Sequence, residues 1–538
     1  MKTDYVSYQD TRSFSKAVLD YLDDAPGLRP FYGLRAATDS FKLQIETKSH
    51  EAIQRDVLAG VLGDQYAEIG LAGASVSSQV KANIKALTAA NTFTVTAGHQ
   101  LNIFSGPLYT IYKILSTIKL AEDLNASAAV GAARVVPVFW LATEDHDFAE
   151  INHLNIGSKS ISWDLEASGA VGRLKTASIE KTLGKVLSSL GVMTYTGELE
   201  ALCRAAYEKN TTLSSATRYF YNALFGEYGL VILDADEPRL KQIFAPVIEN
   251  EILAPVSYRE VTATNRSLEE RGYKVQVHPR EINLFYLQEN FRERIVRDST
   301  GRFKTLNGQY SWNEDEVKAE IRDHPAHFSP NVILRPLYQE TILPNIGFIG
   351  GGAEVTYWLS LKSTFDHYKI AFPIVMLRNS ALLVDEVSDK RITHLGFTAT
   401  DLFKDPRHLT TAYIRHSSTK ELDLGKDREA LVTIMENVRV KALAIDQSLS
   451  QSSLAMLTRM QHMLEKLEKK MLKAEKNRFD VEMVQIFKIH ENLFPHDSLQ
   501  EREENFLPYY ARYGPRLLDI LKESFKVPGY NFTVLHLE

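Results

Sequence analysis

Thr92-Phe-Thr-Val-Thr-Ala-Gly-His-Gln100 opens the stretch whose reading decides the fold. It continues as Leu101-Asn-Ile-Phe-Ser-Gly-Pro-Leu-Tyr-Thr-Ile-Tyr-Lys113, and later as Val135-Val-Pro-Val-Phe-Trp-Leu-Ala-Thr-Glu-Asp-His-Asp147. The β-branched run Thr92–Thr96 stops at Gly98. A helix-period segment runs from Leu108 to Leu124. A second apolar run, Val135–Leu141, ends in four polar residues. This is a strand–helix–strand unit, and a helical crossover makes its two strands parallel. Parallel strands deliver their loops to one edge of the sheet, where ligands bind. Gly98, His99 and Gln100 follow the first strand, and Glu144, Asp145, His146 and Asp147 follow the second. Both groups are expected on one crevice.

Working outward, Leu230–Leu233, Pro344–Ile349 and Ile370–Leu377 are further core-strand candidates, the last weakened by Pro373. Leu199–Leu224, Pro238–Leu253 and Val355–Tyr368 have helical periodicity. Ile282–Leu287, Glu293–Arg297 and Arg302–Leu306 alternate like an antiparallel meander inserted into the parallel core. From about Leu382 the character changes. Glu429–Glu475 is rich in Leu, Met, Lys and Glu, and Leu457, Met460, Leu464, Leu467, Met471 and Ala474 form an a/d seam. We expect an α/β protein in three parts. A mainly parallel core occupies 1–385, with insertions at about 157–225 and 260–330. A helical coiled-coil domain occupies 386–495, and a C-terminal segment, 496–538, packs back towards the core.

The composition is that of a globular protein, and the net charge of -6 argues against a general nucleic-acid binder. No apolar run follows Met1-Lys-Thr-Asp-Tyr5, and no window approaches the ~20 apolar residues of a membrane span. A cytoplasmic protein without membrane or nucleic-acid partners is expected. The single cysteine, Cys203, lies in a helical pattern and reads as a buried structural thiol.

Three groups can carry chemistry. Gly98-His99-Gln100 with Gly106-Pro107 stands at the mouth of a helix, where the backbone can approach a ligand and an anion is favoured. Glu144-Asp145-His146-Asp147 sets three carboxylates beside an imidazole, which suits proton transfer or the holding of an amine, a sugar hydroxyl or a metal. A single His among carboxylates fits Mg²⁺ or Mn²⁺ better than structural zinc, and no metal is assigned. Gly350-Gly351-Gly352-Ala353-Glu354 places Glu354 in the first turn of a helix. Arg335 is a candidate carboxylate or phosphate clamp. His324 and His327 flank a proline and read as loop structure.

Longer motifs run through the whole chain: 98–113, 137–153, His324-Pro-Ala-His-Phe-Ser-Pro-Asn-Val-Ile-Leu-Arg-Pro336, Gly351-Gly-Ala-Glu-Val-Thr-Tyr-Trp358 and Leu493-Phe-Pro-His-Asp-Ser-Leu-Gln-Glu-Arg502. In this order they resemble the bacillithiol biosynthesis cysteine-adding enzymes, the BshC family. The resemblance implies a Rossmann-type core similar to class I aminoacyl-tRNA synthetases, with a helical coiled-coil domain. It implies the last step of bacillithiol synthesis, joining cysteine to the glucosamine amine of glucosaminyl-malate. The synthetase H-x-G-H signature keeps only its glycine, in Phe104-Ser105-Gly106-Pro107, and no K-M-S-K-S equivalent is present.

On this reading His99, Glu144, Asp145, His146 and Asp147 are catalytic, assigned jointly. Gly98, Gln100, Gly106, Arg335, Gly351, Gly352, Glu354 and Tyr357 bind substrate. Amide formation from a free carboxylate needs an activated acyl group, so an adenine nucleotide, ATP or ADP, is expected. Phe494, Pro495, Gln500, Arg502, Tyr509 and Tyr510 are its candidate contacts. The other expected partners are glucosaminyl-malate, a cysteine donor and a second copy of the chain, paired through the coiled coil. Two other classes stay open: a metal-assisted hydrolase using Glu144, Asp145, His146 and Asp147, and a non-catalytic coiled-coil assembly protein.

Overall fold

The structure, a computed structural model, describes residues 2–538. The expected unit is present as strand β1 (Thr92–His99), helix α1 (Leu108–Ala126) and strand β2 (Arg134–Leu141). The two strands pair in parallel without a slip, from Thr92 opposite Arg134 to His99 opposite Leu141. Strands β3 (Val231–Asp234), β4 (Asn345–Gly350) and β5 (Ile374–Leu377) complete a five-stranded sheet of order β5-β4-β1-β2-β3. Every pairing in it is parallel. The strands are buried on both faces, so β2 and β5 read as nearly continuous apolar runs, while β1 buries its alternating threonines as well as Phe93 and Val95.

Prolines mark where one strand and one strand pairing begin. The run Ile370–Leu377 forms a strand only from Ile374, because Pro373 has no N–H for the ladder. Pro137 lies within β2, where the ladder to β3 begins one residue later, at Val138. Helix α1 is buried nearly all round, including Lys113, Ser116 and Thr117. Beneath the sheet, the Thr94 and Thr96 hydroxyls donate to Asn345 Oδ1 at 3.1 and 2.9 Å, and Asn345 Nδ2 donates to Glu340 Oε1 at 2.7 Å. Helix α2 (Arg335–Ile342) carries that buried glutamate.

Two expected helices are each divided. Leu199–Leu224 becomes Thr196–Lys209 and Leu213–Phe225, because Thr212 starts a new helix with a capping box to Ser215. Val355–Tyr368 becomes α3 (Gly352–Trp358) and Lys362–Tyr368. The meander is a five-stranded antiparallel sheet built from Leu284–Gln288, Phe291–Arg297, Phe303–Thr305, Ser311–Trp312 and Phe328–Pro330. Its last two strands are too short to show an alternation.

The chain forms two compact units. One comprises Ser7–Leu382 with Leu499–Thr533 and contains the parallel sheet. The other comprises the residues up to Val6, Leu383–Ser498 and Val534–Glu538. In the second, helices α4 (Gly425–Leu443) and α5 (Ser448–Lys476) make a hairpin. The buried positions of α5 are Ser453, Glu468 and Glu475. Glu468 pairs with Arg415 at 2.6 Å and Arg428 at 3.4 Å, and Glu475 accepts the Ser418 hydroxyl. The a/d seam is covered only in part, and Leu467 is 48% exposed. No helix among the described residues is long and apolar enough to cross a membrane.

Candidate active site

The strand order reverses between β1 and β4: the chain builds outward from β1 through β2 to β3, then crosses to β4 and β5. Such a switch point opens a crevice at the carboxyl ends of the two strands. Gly98, His99 and Gln100 stand on one side of it, and Gly351, Gly352 and Glu354 on the other.

Lys113 ties the two sides together, and the candidate residues did not include it. Its ammonium, on a side chain only 2% exposed, donates to Gly98 O at 2.9 Å and to Glu354 Oε2 at 2.5 Å. Glu354 Oε2 also accepts the Gly351 N–H at 2.8 Å. Burial pushes the Lys113 pKa down, and Glu354 opposes this. The available signal was a lysine inside an otherwise apolar helical run, Ile111-Tyr-Lys-Ile-Leu115.

His99 faces Tyr109 edge-on at 5.2 Å, and its Nε2 has no hydrogen-bond partner among the described residues. Burial, helped by the charges of Lys113 and Arg378, holds its pKa well below the ordinary imidazole value. It is therefore a neutral base or acceptor at pH 7. Gln100 joins the two loops, donating to Asp145 at 2.8 Å and Glu150 at 2.6 Å. Burial opposes the charge of Asp145, but bonds from His146 and Gln100 and the nearby Arg292 hold its pKa low.

Each carboxylate of the acidic cluster has a partner. Glu144 forms an ion pair with Lys241, which also reaches Asp236 at 3.2 Å. Arg173 grips Asp236 at 2.7 and 2.9 Å. Burial raises the Glu144 pKa, and Lys241 counters it. His146 Nδ1 accepts from Arg292 at 2.6 Å, and that guanidinium lies 3.9 Å from the Phe285 ring centre. Asp147 caps the helix Phe148–Ile151 by accepting the Glu150 N–H. Lys241 and Arg292 come from distant segments, so the cluster looked uncompensated in the sequence.

Arg335 opens α2 between the rings of Trp140 and Phe348, 5.8 Å from each centre. It donates to Gln339 at 2.9 Å and to the Tyr357 hydroxyl at 3.4 Å. Gly352 packs on Val18, 3.3 Å from where a β-carbon would stand, whereas a β-carbon at Gly351 would meet nothing within 3.4 Å.

The mouth of α1 departs from expectation. Phe104, Ser105 and Gly106 are consecutive left-handed residues with φ of 49°, 69° and 60°. A β-carbon at Gly106 would stand 2.5 Å from Asn102, so this glycine serves the turn and not the approach of a ligand. The Leu108 N–H is taken by the Glu504 carbonyl at 2.8 Å, and Asn505 Nδ2 donates to the carbonyls of Phe104 and Gly106 at 3.0 and 2.6 Å. The chain's own backbone thus fills part of the place expected for an anion.

The candidate nucleotide contacts are divided between the two units. Phe494 packs on Phe403 and His490, and it belongs with Pro495 to the helical unit. In the core unit Gln500 is buried, Arg502 is exposed, the Tyr509 hydroxyl bonds Glu504, and Tyr510 reaches Glu198 at 3.5 Å. His324 stacks on His327, which pairs with Glu320 at 2.7 Å. No group of three or more His, Cys, Asp or Glu among the described residues is arranged to hold a metal. Cys203 is buried, with its thiol pushed up to about 12 by burial, and is inert.

Comparison with known proteins decides the family. The model described as "Bacillithiol biosynthesis BshC, N-terminal Rossmann-like domain" matches residues 1–379, and "Bacillithiol biosynthesis BshC, C-terminal coiled-coil domain" matches 381–537. The chain belongs to the BshC family. A relative from Flavobacterium johnsoniae, named "Putative cysteine ligase BshC", is 41% identical over 99% of this chain and 100% of its own. One from Flavobacterium psychrophilum with the same name is 40% identical over 99% of each chain, and one from Salinibacter ruber is 30% identical over 96% and 95%. Among solved structures, an arginyl-tRNA synthetase from Campylobacter jejuni aligns at 10% identity over 84% of this chain and 98% of its own; its TM-score of 0.20 carries no argument. The BshC match agrees with the resemblance read from the motifs and with the α/β and helical architecture.

Proposed function

We propose that this chain is the cysteine ligase of bacillithiol synthesis, forming the amide between cysteine and the glucosamine amine of glucosaminyl-malate. The observation that carries the reading is the full-length match to relatives named as cysteine ligases. The crevice supports it with groups of the right kind. Glu354, held in place by Lys113 and the Gly351 N–H, can accept a proton or hydrogen bond from the sugar ammonium. Neutral His99 offers a second acceptor beside it. Arg335 and Asp145 are the opposite charges for the malate carboxylates and the ammonium. Glu144 and Asp147, occupied by Lys241 and by a helix cap, act as supports of the loop. Glu144, His146 and Asp147 turn to three different partners, which disfavours a shared metal for the hydrolase reading.

An adenine nucleotide belongs to this reading because a free carboxylate must be activated before its acyl group can be transferred to an amine. The mouth of α1 does not fit its phosphates, since Glu504 O already occupies the Leu108 N–H. The half-covered a/d seam of α5 supports pairing with a second copy.

The test is direct. Purified protein is supplied with glucosaminyl-malate and cysteine, with and without ATP, and the thiol product is followed by mass spectrometry. In cells, deletion is expected to accumulate glucosaminyl-malate and abolish bacillithiol. A deletion strain with normal bacillithiol would overturn the reading.

A further inference from the structure

Arg378 follows β5 and is 6% exposed, yet neither the motifs nor the comparisons single it out. Its backbone N–H joins the sheet edge, donating to Gly350 O at 2.8 Å. Its Nη1 donates to Asn379 O at 2.9 Å and Ser380 Oγ at 3.0 Å. Glu501 grips the same guanidinium with both oxygens, at 2.8 and 3.1 Å, and its side chain is 1% exposed. Glu501 also accepts the Ala381 N–H at 3.1 Å. This is a planar two-point grip, the geometry that fixes a guanidinium in orientation as well as in place.

One donor is left over. Arg378 Nε has no hydrogen-bond partner among the described residues. It lies beside the switch point, 3.8 Å from where a β-carbon on Gly351 would stand, with the guanidinium 5.2 Å from the Tyr109 ring centre. His99 Nε2, on the opposite side of the same switch point, also has no partner among those residues. Buried polar groups are nearly always satisfied, so two such atoms flanking one crevice point to a polar ligand between them, with an acceptor facing Arg378 Nε–H and a donor facing His99 Nε2.

We propose that Arg378 Nε–H is a substrate-binding donor of the crevice, directed at an acceptor oxygen of the bound substrate, and that Glu501 is its positioning residue. The inference rests on the ligase reading for its substrate. Its structural part is that Glu501 acts through Arg378: the carboxylate meets the guanidinium and one backbone amide.

The experiment is a double-mutant cycle with Arg378→Lys and Glu501→Gln, measuring ligation kinetics on glucosaminyl-malate and its binding by calorimetry. Both changes keep side-chain volume, and Lys keeps the charge. Urea unfolding checks that each variant is folded. We expect Arg378→Lys to lower kcat/KM about 30-fold or more, and Glu501→Gln about 10-fold, mainly through KM. In the Arg378→Lys background, Glu501→Gln should add less than twofold, because its target is gone. Folded variants with wild-type kcat/KM, or effects that multiply independently, would overturn the assignment while leaving the ligase reading intact. A wild type that neither binds nor consumes glucosaminyl-malate would overturn that reading and this assignment with it.

Discussion

At the scale of single residues, the buried charges are the most consequential feature of this protein. Lys113 is the clearest case, since its ammonium satisfies Gly98 O and Glu354 at once. Removing one partner of a buried pair leaves the other charge uncompensated, at a cost of about 3 kcal/mol. Lys113→Met should therefore lose roughly that much stability in urea titration and lose ligation activity, while Lys113→Arg keeps most of the stability. A Met variant as stable as wild type would show that Glu354 does not depend on it. On the other loop, Asp145→Asn with His146→Ala should abolish product formation without unfolding the core. Wild-type turnover by that double variant would remove the acidic cluster from the mechanism.

Glu340 makes a prediction about pH. It is fully buried, and its carboxyl is pushed up to about 7 from an ordinary 4.5, chiefly by burial. Between those values the folded protein holds a proton that the unfolded chain has released. Its contribution to stability is thus greatest below about pH 4.5 and falls as pH rises through 7. Glu340→Gln should abolish that slope. Relative to the variant, wild type should lose about 3 kcal/mol between pH 4.5 and 8. Parallel stability curves for the two proteins would show that Glu340 is ionised in the fold throughout.

At the scale of elements, the turn before α1 carries the local strain. Gly106 has φ 60° and ψ -145°, a region essentially closed to residues with a β-carbon. Gly106→Ala should cost about 2–4 kcal/mol by thermal or urea unfolding, from strain and the clash with Asn102 together. A near-neutral effect would mean that the turn can relax. The element scale also shows what was legible. Val135–Leu141 is readable because burial on both faces leaves an unbroken apolar run, and Thr92–Thr96 because its residues are β-branched or aromatic. Pro373 and Thr212 each mark a boundary in a recognisable way, the one starting a strand late and the other dividing a helix. The occupation of the helix mouth was not legible. Nothing near Pro107 announces Glu504 and Asn505, which are about 400 positions away. The same holds for the partners Lys241, Arg292 and Glu501. Residue type shows that a charge is present, but only the fold says what neutralises it.

At the scale of the whole molecule, the α5 seam asks for a partner. Leu457, Leu464 and Met471 are only partly covered, while the buried positions of that helix are polar. Leu464→Asp with Leu467→Asp should convert a dimer to monomers by light scattering, with helical content by circular dichroism retained. A variant that stays dimeric would move the interface elsewhere.

The contact between Asn505 and the turn at Phe104 has a consequence in time. The two residues lie 401 positions apart. A ribosome adding roughly 5–20 residues per second needs about 20–80 s to cover that distance. During this interval β1, α1 and β2 can form, but the left-handed turn lacks its clamp and Arg378, once made, lacks Glu501. The crevice should therefore be acquired as a late event of biosynthesis, and a nascent chain stalled before Leu499 should be structured yet unable to ligate.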